Sequence, residues 1–422
     1  MKNRWYRWTF IVAAVVVLVF GLRSCFSGDD LISRDPGEEI DAELTLRTVT
    51  LEQPDEDGTL LWRLKAESVT YVPDTQRANL VALEGEFFQD AEVVYTVEAD
   101  EGEVLQNGNT LFLRGNLVAT GRENDLTLEG EKLKWQPKQD LLVMGAFDES
   151  ESADSGFSSA NSDDSGSDDS EDETAESFLT IDDAPVTGFN PQLKTAARLV
   201  RVNNREDRVE LVGGVLAQSK EEPWVTFASE SLTWRTEREL IEASQPLTVE
   251  QYENDAYQTV TDRLVGGSGQ VELAENRVTL EEEVQLDALT QPLTVISEQA
   301  VWDIDAQTVD IDSMVDIEQP EDEVTAVANQ ARLDLAAQVI YLEGDVQAIS
   351  EKNDAQLDAD RVVWQTETQL VEAIGNVRYQ QADDPDVEIS GPRATGDIEA
   401  GTLVIEGGES GEVVTEIVPD GL

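Results

Sequence analysis

Histidine is absent from the 422 residues, cysteine occurs once, and 29 Lys plus Arg stand against 89 Asp plus Glu, a formal charge of -60. Without histidine neither a Ser/His/Asp nor a Cys/His nucleophile system can be assembled, and zinc sites lose their commonest ligand. A lone Cys25 forms no internal disulfide, so the fold must rest on buried apolar area. The shortage of cations argues against nucleic acid, because affinity for a polyanion comes from Lys and Arg that displace its counterions. No Gly-x-x-x-x-Gly-Lys-Ser/Thr run is present, so the chain has no nucleotide-hydrolysing loop of its own. Gly266-Gly267-Ser268-Gly269 reads as a loop between strands, since no helix follows to present amides to a phosphate. Acidic runs such as Glu281-Glu282-Glu283 and Asp383-Asp384 read as solvated surface charge. No catalytic residue, metal ligand or cofactor is assigned, and an enzyme is not expected.

Long apolar runs are missing after the first. Lys2, Arg4 and Arg7 precede Phe10–Phe20, which holds no polar residue, and Asp29-Asp30 follow. This charge order places the amino end in the cytoplasm and the remaining residues outside, and Trp5, Tyr6 and Trp8 suit a membrane interface. Trp8–Leu22 would reach only about 22 Å as a helix, short for a bilayer core of roughly 30 Å. Three readings of residues 1–28 compete: an uncleaved anchor, a lipoprotein acylated at Cys25, and a cleaved signal. The want of a small-x-small cleavage site favours the anchor, and for acylation Leu22 and Ser24 suit the site whereas Arg23, two residues before Cys25, does not.

What is present is a repeat. A small residue, two variable positions, an apolar or small residue, one variable position and a large apolar residue recur as Ala66/Val69/Tyr71, Gly130/Leu133/Trp135, Ala197/Val200/Val202, Ser229/Leu232/Trp234, Ser297/Ala300/Trp302, Ala328/Ala331/Leu333 and Ala359/Val362/Trp364. Most starts lie 31 to 33 residues apart, with weaker copies at Ala99, Thr261 and Gly391. Sixteen residues after a start falls the centre of an apolar-x-Gly-x-apolar group, as at Gly115, Gly213, Gly344 and Gly375, with Gln245 and Ser313 standing where the glycine is replaced. Apolar and polar residues alternate in each half, as in Trp62/Leu64/Ala66 against Arg63/Lys65/Glu67. That period of two predicts strands with one wet face, and the recurring glycine predicts a bend or bulge. The expectation is an all-β chain of about twenty antiparallel strands in curled sheets, with almost no helix outside the anchor.

Asp148–Ser177 interrupts the pattern with twelve acids, ten serines and no base. Such a stretch buries too little to order itself and fits no calcium-loop spacing. It divides the chain into an anchor or signal segment at 1–28, a first module at 38–147, an acidic linker at 148–180 and a second, longer module at 181–418.

Stacked units place their apolar residues in continuous files along one face. These files form either a sealed sandwich core or, where a curled sheet leaves the sandwich open, a lengthwise greasy groove. Burying a twelve-carbon acyl chain there would gain roughly 10 kcal/mol before costs, at about 0.8 kcal/mol per methylene.

The cationic start, the single apolar segment and Leu51-Glu52-Gln53-Pro54-Asp55-Glu56-Asp57-Gly58-Thr59-Leu60-Leu61-Trp62-Arg63-Leu64-Lys65-Ala66-Glu67 resemble the LptC family, the membrane-anchored periplasmic component of lipopolysaccharide export. The Leu-x-Gly-x-Val groups are similar to those of its LptA and LptD relatives. The match is closest over residues 1–147, and 181–415 repeat the same logic more loosely. The resemblance implies twisted antiparallel β-jellyrolls of LptA/LptC type that hand lipopolysaccharide from inner-membrane ABC transporter permease subunits to an LptA-like or LptD-like jellyroll, by pairing of open sheet edges. It implies a periplasmic protein held at the inner membrane, with Trp62, Leu64, Val69, Tyr71, Leu111, Leu113, Leu133 and Trp135 on the acyl-contacting face. Leu232, Trp234, Trp302, Val362 and Trp364 would continue that face. So acidic a surface requires the ligand's head group to stay outside the groove, to carry few phosphates, or to bring divalent cations. A dry structural β-repeat stalk and a β-helical enzyme acting on polysaccharide are the alternatives.

Overall fold

The computed structural model describes residues 44–147 and 184–418, apart from 73–76, 106–107, 123–124, 291, 383–385, 399 and 408–413. The expected anchor with Cys25 and the acidic stretch 148–180 lie outside the described residues. Among the described residues there are 28 strands and one short 3-10 turn, Asn204–Glu206, and no helix is long and apolar enough to cross a membrane.

Pairing is antiparallel and follows the chain. Leu60–Val72 lies between Leu44–Pro54 and Arg77–Gln89, and the same neighbour-to-neighbour rule continues to Val414–Val418. The unit of this meander is a rung, either one long strand such as Thr110–Gly121 or two short ones in line, such as Leu240–Ala243 and Leu247–Tyr252. Every rung bends near its middle. One half joins a first sheet, which holds Leu60–Ala66, and the other half a second sheet, which holds Ser68–Val72. The two sheets face each other across one apolar core.

The repeat accounts for the bend residue by residue. In Leu113-Arg114-Gly115-Asn116-Leu117 the register slips between Arg114 and Leu117, and Gly115 and Asn116 both adopt left-handed backbone, at φ of 79° and 45°. Gly213-Gly214, Gly344-Asp345 and Gly375-Asn376 do the same. A pair of left-handed residues is costly for most side chains, which explains Gly first and Gly, Asn or Asp second. On the partner rung a single residue, Glu131, opposes the pair, so the inward positions there step by three, from Gly130 to Leu133. The small-x-x-apolar motif is therefore the point at which a strand passes from one sheet to the other while keeping its apolar side inside. Where the glycine is replaced, at Gln245 and Ser313, the rung breaks into two strands. Glu282-Glu283 is the exception, a bend formed by two non-glycine residues at φ of 66° and 54°. The expected loop at Gly266–Gly269 is also a bend, because Val260–Gly266 and Ser268–Glu272 belong to one rung and both pair with Arg277–Ala288.

Strands on either side of residues 148–183 share a rung as well. Thr127–Gln136 pairs through its second half with Leu141–Gly145 and through its first half with Val186–Phe189. The next rung pairs with both of these, so the hydrogen-bond ladder is unbroken at this point.

Candidate lipid-facing interior

Files of inward side chains run perpendicular to the strands. In the second sheet one file steps in strict register from Leu44 to Tyr71, Ala78, Val104, Leu111 and Trp135. It continues through Leu142, Val202 and Val209 to Trp234, then Ile241, Val271 and Val278 to Trp302. From there Val309, Leu333 and Ile340 lead to Trp364, Val371, Gly396 and Leu403. A neighbouring file carries Val69, Leu113 and Leu133 near its start, and Leu232 and Val362 further along. In the first sheet Leu64 lies in a third file that begins at Leu51, and Trp62 pairs with Phe87. The sequence-assigned residues thus converge on one interior, although they come from rungs spread over most of the ladder.

Twelve of those thirteen residues are buried, and Tyr71 alone is open, at 43%. It sits in the second rung beside Leu44 and Leu46 of the first, which, although on inward files, are 55% and 45% exposed. The interior therefore meets solvent at the amino-terminal edge.

Of the two arrangements open to these files, a sealed core or a lengthwise groove, the structure shows them packed against each other along most of their length. Phe87 from the first sheet stacks on Trp135 from the second, Trp62 Nε1 donates to the Gly108 carbonyl at 3.0 Å, and the Tyr95 hydroxyl donates to Asn204 Oδ1 at 3.2 Å. Apolar side chains from both faces interdigitate, and a slot held open in water would forfeit that burial.

Towards the carboxyl-terminal end the packing loosens into a cavity of about 100 Å³, lined by Leu342, Leu357, Trp364, Val371, Tyr379 and Leu403. Tyr379 is half-buried there, its phenol donates to Gln381 Oε1 at 3.2 Å, and burial raises its pKa. Phe87, Tyr95, Leu357 and Tyr379 lie outside the small-x-x-apolar motif. Period-two alternation in the first-sheet halves would have found them, since Leu64, Gly85, Val97 and Ala119 follow one another in register as the second-sheet residues do.

Apart from the buried Asp140, charged side chains lie largely on the outside. Arg63 pairs with Glu52 and Glu86 at 2.7 and 3.0 Å, and Arg393 with Glu372 at 2.6 Å, all on partly exposed side chains. No group of three or more acids is placed to hold a metal ion among the described residues.

Residues 9–143 match the family model described as lipopolysaccharide-assembly, LptC-related. No curated protein matches the chain. The match covers the rungs that hold Trp62, Leu64, Leu113 and Trp135. Over residues 9–143, about a third of its length, the chain is similar to the LptC-related family.

Proposed function

We propose that the protein is a periplasmic bridge in lipopolysaccharide export, without catalysis, that carries acyl chains between its two sheets. The observation behind this reading is the register of the inward files, which stay apolar from the first rung to the last. Rungs lie about 4.8 Å apart, so about twenty of them make a ladder of roughly 100 Å. Residues 1–28 anchor the chain at the inner membrane beside the ABC transporter's permease subunits, with Cys25 the acylation site if it matures as a lipoprotein. Lipid enters at the open amino-terminal edge around Leu44, Leu46 and Tyr71. It leaves towards an LptA-like or LptD-like jellyroll that pairs with the last rung, by completion of that rung's free backbone groups. The second module, 181–418, lengthens the bridge, and 148–180 is a tolerated insertion or tether.

Passage requires the sheets to part. The roughly 10 kcal/mol gained by burying a twelve-carbon chain offsets contacts such as the Phe87–Trp135 stack, which are lost on opening. Photo-crosslinkable residues at Val69 and Trp135, in cells making labelled lipopolysaccharide, test the reading. Adducts at both support a conduit. Depletion of the protein with unchanged surface lipopolysaccharide would remove the proposal.

A second reading, a sealed β-repeat stalk, draws on the closed interior. It predicts no adducts at any inward position.

A further inference from the structure

The file that begins at Leu44 carries tryptophan at Trp135, Trp234, Trp302 and Trp364. Successive tryptophans are four rungs apart, about 19 Å at ~4.8 Å per strand. The three positions between each pair are Val, Leu or Ile, so packing at this depth is satisfied by a plain aliphatic side chain. All four indoles are at least nine-tenths buried, and none of their Nε1–H groups has a hydrogen-bond acceptor. Trp62, outside this file, differs, because its Nε1 donates to the Gly108 carbonyl. Trp364 also lines the cavity of about 100 Å³ near the carboxyl-terminal end, and Trp234 lines a smaller one of about 20 Å³.

An indole N–H only donates, and a buried donor without a partner is costly. Four such donors in one register, at equal intervals, in a wall that is otherwise hydrocarbon, are poorly explained by a core built for stability. We propose that these indoles are stations for the carbonyl oxygen of an acyl ester, each accepting the polar end of a fatty chain whose tail lies among the aliphatic residues between stations. The inference rests on the lipid-conduit reading and adds the recognised group. A lipid moving along the ladder would exchange one N–H···O=C bond for the next instead of crossing the whole interior with its carbonyl unpaired.

The test compares two probes on the full-length chain held in amphipol: a fluorescent twelve-carbon monoacylglycerol ester and its alkyl ether, which lacks the carbonyl. The ester is expected to bind about tenfold more tightly to the unaltered protein. Trp364→Phe and Trp234→Phe should each reduce that preference, the fourfold Trp→Phe variant should abolish it, and Trp62→Phe, whose donor is already engaged, should leave it intact. Equal binding of ester and ether to the unaltered protein overturns the inference while leaving the conduit standing, and this comparison needs no variant to fold. A preference that survives the fourfold substitution also overturns it. Binding of neither probe removes the conduit reading and this inference together.

Discussion

Phe87 and Trp135 lie face to face across the interior, one from each sheet, with ring centroids 4.9 Å apart and planes 3° from parallel. Each is almost wholly buried, so this stack closes the sandwich within the LptC-related stretch. Phe87→Ala should cost about 3–5 kcal/mol by emptying a large buried volume and losing the ring pair. If the sheets must part for lipid, the same variant should load labelled lipopolysaccharide faster at a crosslinker placed at Val69. A stability loss with slower or unchanged loading would show that the stack is no barrier to entry.

The bends offer a test with opposite signs at two sites. Gly115 has φ of 79°, and a Cβ there would meet Asp100 Oδ2 at 2.9 Å, so Gly115→Ala should destabilise by about 1–3 kcal/mol. Glu282 holds the equivalent position without the glycine. Glu282→Gly should stabilise by about 0.5–1 kcal/mol, because relief of the left-handed penalty outweighs the added entropy of the unfolded chain. Urea titrations of both variants check this, and the idea fails if they shift the midpoint in the same direction.

Asn116 anchors the same bend, since its Nδ2 donates to Asp100 at 2.7 Å, and Asn376 repeats the contact with Asp360 at 2.9 Å. Asn116→Ala removes the bond and places a residue less tolerant of φ > 0 in the second left-handed position. A loss of about 1–2 kcal/mol is expected. Asn116→Asp, which keeps the tolerance and sets two carboxylates together, should lose most at neutral pH and recover in acid.

Asp140 provides a pH signature. It is only 2% exposed, its Oδ2 accepts the Arg205 backbone N–H at 3.1 Å, and burial lifts its pKa to about 6, against the opposing influence of Arg205. The folded carboxyl thus keeps its proton to higher pH than the unfolded one. Its contribution to stability is full below about pH 4 and is lost as pH rises through about 6. Asp140→Asn retains an acceptor oxygen and cannot ionise, so at pH 7.5 the variant should be more stable than the parent by about 1–3 kcal/mol. The gap should narrow as pH falls and close at about pH 3.5, below the pKa of the unfolded carboxyl. Denaturant midpoints at the two pH values decide it, and an equal gap at both would show that Asp140 is not the titrating group.

Much of the architecture is legible in the chain itself. The spacing of Ala66, Val69 and Tyr71, or of Gly130, Leu133 and Trp135, reflects the sheet crossing, and Gly115, Gly213, Gly344 and Gly375 mark the bends. The third dimension of the interior is less so. Whether Trp135 faces a slot or a ring depends on Phe87, 48 residues away and on the opposite sheet, and no local period reports that meeting. Tyr71 obeys the motif yet is exposed, because a repeat does not say which of its copies lies next to the edge of the ladder. Gln245 and Ser313 show the reverse limit: a missing glycine signals that the bend changes form, and the break into two strands is a property of the folded rung.

Each rung hydrogen-bonds only to its predecessor and successor in the chain, and this makes the molecule extensible. Removing one period, residues 328–358, would join Val327 to Ala359 at equivalent points of the fold and leave every remaining ladder contact with a neighbour of the same kind. Such a shortened protein should still assemble, since stability in stacked repeats is close to a sum of nearest-neighbour terms, and it would be about 10 Å less tall. Reach is in this sense a copy number, which duplication or loss of a thirty-odd-residue block can reset without redesigning either terminus.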